Sequence, residues 1–468
     1  MGIKNLNLQK QPKDFINLEI SLDKKTKTDG LIKIKLTEGD YQPQVEEKVK
    51  DYAKKANIKG FRAGKVPTGI IKKMFGRSIL IEEINHILSH KLTDYIQENK
   101  LKVLGDPLPN KEKANTIDWD SDTQFEFEYQ VGMAEDFTYE LSDKVKLKFF
   151  NIEINDKVIQ ETLEDLKKRY GKVTYPESSE LGDGLGGKLN QVDGDDVFDY
   201  IFLLTDQLKK KAQQQFEGKK AEEVIEFEIE NLFDETDKLA QSLNIPEEEA
   251  KKKKGKYQFT LMNISRVEPA ALSQELFDRV FGKNAVSTEE AFIEKIKNTI
   301  SENYQREADH FLQHNIQDYF IDKTKINLPE DFLKAWLKAS DEQNITDEVL
   351  EKEFEKYTKG LKWSLVKNKV AEDHQIKVET EEVMGKAKEI IFSQFGEEAF
   401  SGPNQDKLDL VIQNYLSHEN GQNFSKLYDQ LRNDKIFGVI KEKINLSEKV
   451  VSVEEFKKIV EKHQQEHG

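Results

Sequence analysis

The stretch between residues 60 and 67 most constrains what this chain can fold into. Gly60 and Gly64 can adopt backbone angles that other residues avoid, and Pro67 fixes φ and removes a hydrogen-bond donor. We therefore expect a shaped loop through which neither a helix nor a strand can continue. The stretch also holds a large aromatic side chain and two cations, which suit docking on a polyanion or an acidic protein surface. The complete octet is Gly60, Phe61, Arg62, Ala63, Gly64, Lys65, Val66 and Pro67.

The charge around this octet is opposite in sign to the charge of the whole chain. Ten Lys or Arg residues and one acid, Asp51, lie between Lys48 and Arg77, which gives a local balance of +9. The whole chain carries −16, so the remaining residues carry −25. A cationic patch confined to one loop and its flanking helices indicates an anionic partner. The alternative is a solvated basic helix face that binds nothing.

The octet resembles the ribosome-docking signature of the bacterial trigger factor family. It lies at the corresponding place, between two helices of an N-terminal domain, and the resemblance extends over most of the chain. It implies that Phe61, Arg62 and Lys65 contact a ribosomal protein and nearby RNA beside the exit of the peptide tunnel. It also implies unfolded nascent polypeptides as partners, and a homodimer when the protein is off the ribosome.

Apolar periodicity predicts that the N-terminal domain is α+β. Ile16–Leu22 and Ile32–Leu36 alternate apolar and polar residues around a turn at Thr28–Gly30, which predicts a hairpin. Phe125–Val131 alternates in the same way and is expected to add a strand to that sheet. A longer helix is expected after the octet. A helix is also expected before it, because apolar residues recur there at helical spacing; they are Val45, Val49, Tyr52, Ala53 and Ala56.

The rest of the chain divides into further parts by pattern and by resemblance. A strand at Val145–Phe149 and a helix at Asn155–Tyr170 belong to a linker. Residues from Pro269 onward show helical spacing and resemble the C-terminal body and arms of trigger factors. We therefore predict an α+β multidomain protein whose parts are an N-terminal ribosome-binding domain (1–112), a linker with a returning strand and a helix (113–173), a divergent FKBP-like β-rich domain (174–268) and an all-α C-terminal chaperone domain (269–468).

The FKBP-like part resembles a prolyl isomerase domain clearly only in its second half. Phe216–Ala221 looks like a turn of that fold, and Tyr257–Val267 looks like its last strand. In the first half, Gly186–Asn190 and Lys209–Gln215 replace the family's pocket-forming aromatic, acidic and apolar residues. Lysines and glutamines in the pocket floor would hydrate it and remove its preference for the twisted prolyl amide. We expect weak or absent isomerase activity, with Phe259 as a possible residue of a peptide pocket.

Composition argues against several other classes of protein. No apolar run approaches the roughly 20 residues that a bilayer span requires. Residues Met1–Leu6 lack the apolar core of a secretory signal. The absence of cysteine excludes disulfides, thiol catalysis and thiolate-bound zinc. We expect a cytoplasmic protein with no membrane partner.

Two kinds of motif match carry no predicted site. Gly182–Gly187 fits the dinucleotide fingerprint, but it neither follows an apolar strand nor opens a helix. Histidine pairs at i, i+4 spacing could clamp a metal on a helix, yet none shows a third ligand; these pairs are His86/His90, His310/His314 and His463/His467. We expect no nucleotide, no other cofactor and no metal.

The sequence thus predicts an ATP-independent, ribosome-associated chaperone that binds nascent polypeptides at the tunnel exit and delays their misfolding. An alternative is an active peptidyl-prolyl cis/trans isomerase acting in protein folding. A weaker alternative is an RNA-binding adaptor, in which the basic loop would prefer nucleic acid.

Overall fold

The computed structural model describes residues 18–62, 64–341, 345–400 and 407–467, with side chains up to residue 465. The predictions for Met1–Leu6, Ile16, Ala63 and the side chain of His467 lie outside the described residues. The chain forms two compact units. One unit contains the residues up to Leu147 together with Leu312–Ser447, and the other contains Lys148–Phe311 together with the residues from Glu448 onward.

Helices and strands both recur along the described chain. The strands are β1 (Glu19–Lys24), β2 (Asp29–Leu36), β3 (Leu108–Pro109), β4 (Phe125–Gly132), β5 (Lys146–Glu153), β6 (Lys172–Thr174), β7 (Gly184–Gln191), β8 (Val197–Leu204), β9 (Val224–Glu228), β10 (Lys256–Glu268) and β11 (Asn445–Ser452). The helices are α1 (Glu38–Lys55), α2 (Thr68–Glu98), α3 (Lys111–Ala114), α4 (Asp156–Arg169), α5 (Lys210–Phe216), α6 (Thr236–Leu243), α7 (Glu247–Ala250), α8 (Gln274–Phe281), α9 (Glu289–Lys323), α10 (Glu330–Ser340), α11 (Asp347–Asp373), α12 (Thr380–Phe395), α13 (Leu408–Lys443) and α14 (Val453–His467). The backbone of α13 is not helical at His418–Gly421.

The N-terminal domain is built on an antiparallel sheet of order β1-β2-β4-β3. Ile20 pairs with Ile34, and Ile34 pairs with Phe127, so the predicted hairpin and the returning strand are confirmed. The turn lies at residues 25–28 and not at Thr28–Gly30 as predicted, because Asp29 and Gly30 already belong to β2. Side chains alternate between the two faces of a strand, and Ile32, Ile34 and Leu36 therefore all lie in the core. Helices α1 and α2 contribute to the same core.

Helix α10 packs against this sheet at a glycine. Gly132 ends β4, and a Cβ atom there would lie 2.3 Å from Cδ1 of Phe332 and 2.8 Å from Cγ of Pro329. Phe332 is fully buried, so its ring rests directly on the β4 backbone. No larger residue leaves room for this contact, which joins α10 to the N-terminal sheet.

The middle domain is rich in strands, as predicted. Strand β10 pairs antiparallel with β6, β7 and β9, and β8 pairs with β7. Helices α5 and α6 contribute to one buried core with these strands. The expected turn lies at Gly218, whose φ is 71°, and the expected strands after it are β9 and β10.

Strand β11 is the main difference from the helical pattern predicted after Pro269. It forms a two-stranded sheet with β5. Val451 is the one fully buried residue among its eight, so no alternating apolar pattern marks this strand in the sequence. The predicted fold class, α+β and multidomain, is confirmed by the helices and strands described above.

The last helix packs inside the unit that contains the middle domain. The Phe456 ring lies 6.1 Å from the Phe150 ring and 5.7 Å from the Phe311 ring, measured between centroids. All three rings are buried. Residues near the C-terminal end of the sequence therefore complete a core that begins at β5.

A partly buried ion pair joins strand β10 to the residue that precedes β7. Nε and one terminal nitrogen of Arg266, on β10, donate to the two carboxylate oxygens of Asp183 at 2.8 Å each. Asp183 is 1% exposed. Burial raises the pKa of this carboxyl, but hydrogen bonds from Arg266 and from the backbone amide of Glu180 outweigh burial, and the net pKa is lowered.

We expect Asp183→Asn to lower the free energy of unfolding of the middle domain by about 1–3 kcal/mol, because Arg266 loses a charged hydrogen-bond partner but keeps its ion pair with Glu180 at 3.0 Å. The carboxylate stabilises the fold above its unfolded pKa, and this stabilisation is lost as the pH falls through the depressed folded pKa. The difference between wild type and variant should therefore be full at neutral pH and shrink in acid. Hydrogen exchange of the β7 and β10 amides in the full chain measures it.

Asp199→Asn is the matched control for this prediction. Asp199 also pairs with a cation, Lys188 at 3.4 Å, but its side chain is 93% exposed. Exposed ion pairs contribute little to stability, so protection should stay near that of the wild type. Equal losses in the two variants would contradict a special role for the buried pair.

Candidate docking site

The octet forms the connection between α1 and α2, as predicted. The backbone amide of Phe61 donates to the Ile58 carbonyl at 3.0 Å, and that of Lys65 donates to the Arg62 carbonyl at 2.9 Å. Val66 is buried in the domain core, and Pro67 precedes the first residue of α2. The loop is therefore closed by its own hydrogen bonds and anchored at its C-terminal end.

Two glycines give the loop its shape. The φ angles of Gly60 and Gly64 are 98° and 73°, in the region that side chains disfavour. A Cβ atom on Gly64 would also lie 2.8 Å from the carbonyl oxygen of Lys54. Gly64 thus lets the loop return against the end of α1.

The three side chains singled out in the octet all face solvent. Phe61 is 39% exposed, which is unusual for so large an apolar residue, and Arg62 and Lys65 are exposed. Ala63 lies outside the described residues. The structure therefore presents one aromatic ring and two cations on the same short loop.

Four cations around the octet are already paired with acids. Lys48 on α1 lies 3.1 Å from Glu83 and 3.2 Å from Glu82 on α2. Hydrogen bonds to Glu83 and Glu82 raise the pKa of Lys48. Lys72 on α2 lies 3.5 Å from Glu46 on α1. The remaining pairs are Lys54–Asp51 and Arg77–Asp120. Most of these acids lie outside residues 48–77, so the local charge of +9 overstates the free positive charge.

The other six cations form no ion pair with any described residue. They are Lys50, Lys55, Lys59, Arg62, Lys65 and Lys73. Both octet cations belong to this group. A cation without an internal partner can bind an external anion without first breaking an ion pair. The unpaired group therefore defines the electrostatic part of the candidate site.

Apolar side chains that the sequence did not single out extend this surface. Tyr52, Met74 and Phe75 are exposed, and the rings of Tyr52 and Phe75 lie 6.3 Å apart. Tyr52 shares the helical spacing of the buried residues Val45 and Val49, yet it is 39% exposed. Phe75 lies four residues from both Ile71 and Ile79, which are buried, so helical spacing alone cannot distinguish it from a core residue.

A shallow pocket lies beside these residues at the end of α1. Its volume is about 330 Å³, and its lining is Lys48, Asp51, Tyr52, Lys55 and Ala56. Aromatic and cationic side chains are common among the residues that carry most of the energy at protein interfaces. The surface formed by the octet, the unpaired cations, Tyr52, Met74 and Phe75 is called the docking surface below.

The middle domain holds the second predicted site, at Phe259. This residue has no exposed surface, and its ring lies 5.9 Å from that of Phe216 in the core. The segment Lys209–Gln215 forms most of α5, and the amine of Lys209 donates to the Glu230 carbonyl at 2.9 Å. A role for Phe259 in a peptide pocket stays a prediction.

A small polar groove lies beside α5. Its volume is about 230 Å³, and its lining is Glu180, Leu181, Thr205, Lys210, Gln213, Gln214 and Glu217. No aromatic residue belongs to this lining. The groove is therefore chemically unlike a dry aromatic basin that selects a twisted prolyl amide.

Neither a cluster of metal ligands nor a membrane-spanning helix occurs among the described residues. The rings of His86 and His90 lie 4.5 Å apart, but no group of three or more potential ligands occurs among the described residues. No described helix combines the length and apolar character that a membrane span needs.

Three family models match the chain in succession. The model for bacterial trigger factor protein matches residues 18–166, the model for the probable trigger factor FKBP-like domain matches residues 173–269, and the model for the probable trigger factor C-terminal domain matches residues 308–460. Together they cover most of the chain.

The chain belongs to the trigger factor family.

Individual trigger factors align along nearly its whole length. The trigger factor of Pelagibacter ubique is 24% identical over 96% of this chain and 91% of its own. That of Salinibacter ruber is 21% identical over 94% and 96%, respectively. A solved structure of the trigger factor chaperone covers 91% of this chain and 99% of its own, with 16% identity and a TM-score of 0.42.

These matches confirm the predicted family and the FKBP-like character of the middle domain. The boundaries of the four parts and the roles of the octet residues stay predictions.

We expect Gly64→Ala to lower the free energy of unfolding of the N-terminal domain by about 1–2 kcal/mol, because a side chain is strained at this φ. The contact with the Lys54 carbonyl adds to the strain. Gly69→Ala is the control, since Gly69 lies in α2 with open space around it and alanine favours a helix. Hydrogen exchange of the α1 and α2 amides measures both. A loss no greater for Gly64→Ala than for Gly69→Ala would contradict the shaped turn.

Proposed function

We propose that this trigger factor docks at the ribosome through its docking surface and binds emerging polypeptides as an ATP-independent chaperone in the cytoplasm. Its family makes it a chaperone that binds substrate polypeptides. The observation that carries the ribosomal part is the octet, with an exposed ring and two unpaired cations on one loop shaped by Gly60 and Gly64.

Charge supports the ribosome as the partner. Ribosomal RNA is a polyanion, and the rest of this chain carries a strong negative charge that RNA repels. The docking surface gathers six cations that form no ion pair with a described residue around one loop of the N-terminal domain. Binding there would orient the whole molecule, because the remaining surface disfavours an anionic partner.

The apolar side chains favour a protein contact within that site. Phe61, Tyr52, Met74 and Phe75 offer exposed carbon surface beside the cations. A pure phosphate contact needs no such surface, whereas a protein interface gains most of its energy from buried aromatic and Arg side chains. We therefore propose that a ribosomal protein, with neighbouring RNA, is the contact.

Replacing Phe61, Arg62 and Lys65 together by Ala should weaken ribosome binding by about tenfold or more, because the loop loses its ring and both unpaired cations. Co-sedimentation of the full chain with ribosomes measures this. The matched control is Lys72→Ala with Arg77→Ala. It removes the same number of charges from residues already paired with exposed acids, and we expect a change of no more than about twofold.

The outcomes of this experiment separate the possible functions. Equal binding by the wild type and both variants would mean that the octet is only a structural turn. Equal loss in both variants would mean that net charge, rather than the loop, governs binding. Binding of the wild type to naked duplex RNA with a steep salt dependence, and no need for ribosomal protein, would favour the RNA-binding adaptor.

Client release follows from modest affinity in this proposal. Without a nucleotide cycle, a chaperone must let its client go through weak binding and through the folding of the client itself. Small apolar contacts on a surface that is partly polar and partly apolar bind a client weakly, because each contact contributes little free energy and water easily replaces the client on these exposed faces.

The isomerase alternative is not favoured. Phe216, Phe227, Tyr257 and Phe259 are all buried in the middle-domain core. The groove beside α5 is lined mostly by polar side chains, among them Lys210, Gln213 and Gln214. These side chains hold water, and a hydrated groove has no preference for the twisted amide over the planar one.

The full chain should therefore leave the cis/trans exchange of a prolyl peptide at its uncatalysed rate, with relaxation over tens to hundreds of seconds at 25 °C. A protease-coupled peptide assay measures this rate. An active FKBP-type isomerase under the same conditions is the positive control. Acceleration by this chain to a comparable extent would restore the isomerase alternative.

A further inference from the structure

Strand β8 displays an apolar face that the docking surface and the family resemblance do not explain. Tyr200, Phe202 and Leu204 alternate along the strand and are 56%, 43% and 37% exposed. Ile201 and Leu203, which alternate with them, are buried in the core. The strand therefore has one face in the core and an equally apolar face in water, whereas a half-buried strand normally turns polar residues outward.

Two glycines of the neighbouring strand hold this face in place. A Cβ atom on Gly184 would lie 2.1 Å from Cζ of Phe202, and one on Gly186 would lie 2.2 Å from the Tyr200 hydroxyl oxygen. The rings thus lie across the bare backbone of β7, and aromatic side chains are known to compensate strand glycines in this way. One side of each ring is covered and the other is open, which makes a platform that needs little ordering before it binds.

The platform lies on the last strand of its sheet. The described strand order is β6-β10-β7-β8, so β8 pairs with β7 and ends the sheet. An edge strand presents unpaired backbone groups that an extended peptide can bind as an added strand. Because side chains of an added strand alternate, every second one would meet Tyr200, Phe202 or Leu204.

Charge distinguishes between possible occupants of this edge. Residues 192–207 contain five aspartates and no Lys or Arg. Asp196 pairs with Lys253 and Asp199 pairs with Lys188, but Asp193 and Asp195 are exposed and form no ion pair with a described residue. Two copies of this edge would repel each other, whereas a basic segment would be attracted. Asp206 lies at the other end of β8, where Lys209–Lys211 follow it. Lysines at 252–254 and Lys256 border the β7-β8 turn, but Lys253 and Lys256 already pair with Asp196 and Glu226. Asp193 and Asp195 are the acids of this turn that form no ion pair with a described residue.

We propose that β8 binds an extended, unfolded polypeptide segment as an added strand, with apolar side chains at alternate positions on Tyr200, Phe202 and Leu204 and a basic residue beside Asp193 and Asp195. This site rests on the proposed chaperone function, because it requires unfolded clients. It is separate from the docking surface and from the groove beside α5. The middle domain would then hold clients by backbone pairing rather than catalyse their isomerisation.

A labelled synthetic peptide of alternating Val and Thr that ends in two Arg tests the proposal by fluorescence anisotropy with the full chain. Tyr200→Ser with Phe202→Ser should weaken binding by about tenfold or more, because the platform is lost. Asp193→Lys with Asp195→Lys should weaken it by a similar factor and should bind more tightly the peptide whose Arg residues are replaced by Glu. The turn substitutions leave the platform and the core intact, so they decide the outcome even if the first variant unfolds.

Three results would overturn the site. Binding by both variants at the wild-type level would place the peptide elsewhere. Failure of the charge exchange to reverse the peptide preference would remove the role of the β7-β8 turn. A dimer that dissociates in the variants, seen by sedimentation, would mean that a second copy occupies the edge.

Ribosome co-sedimentation separates this proposal from the proposed function. Both β8 variants should bind ribosomes like the wild type, and the variant with Ala at Phe61, Arg62 and Lys65 should bind the peptide like the wild type. Loss of ribosome binding in a β8 variant would contradict two independent sites. Loss of peptide binding in the octet variant would do the same.

Discussion

The contact of the Phe332 ring with the backbone of Gly132 fixes where α10 lies on the N-terminal sheet. Leu104, Leu108 and Ala134 of the N-terminal domain share a core with the same helix. A ring resting on bare backbone gives the closest possible approach and buries nearly all of its surface. Phe332 and Leu333 share a core with Leu350 and Phe354 of α11. A side chain at position 132 would therefore displace α10 and loosen the start of α11 as well.

The cations near the octet serve two different purposes, although they are the same residue types. Lys48 and Lys72 reach across from one helix to acids of the other, and these contacts help to hold α1 and α2 side by side. Arg62 and Lys65 lie on the loop beyond the end of the helix pair, where no acid is within reach among the described residues. The helix pair thus supports the loop with one set of charges and leaves the other set for a partner. Added salt should weaken the interactions of Arg62 and Lys65 with a partner more than the ion pairs between α1 and α2. Salt screens exposed charges strongly and partly buried pairs less.

Much of this arrangement follows from the sequence, and the failures have physical causes. The hairpin around Ile20 and Ile34 was predictable because one face is buried and alternation is strict. The loop was predictable because Gly64 and Pro67 restrict the backbone locally. Tyr52 and Phe75 were missed since their helical spacing matches that of true core residues, and exposure depends on how far the partner helix extends. Strand β11 was missed because it forms by pairing with β5, a segment distant in sequence, and its own residues show no alternating apolar pattern.

The Phe150, Phe311 and Phe456 cluster bears on how this protein itself is made. Its third ring comes from α14, near the C-terminal end of the sequence, while the first comes from β5. During synthesis, the core around Phe150 and Phe311 must wait until α14 has left the ribosome. A chaperone of unfolded chains therefore has an unfinished core of its own until about 140 residues after Phe311 have been made, and during that time its own chain has the exposed apolar surface of a client.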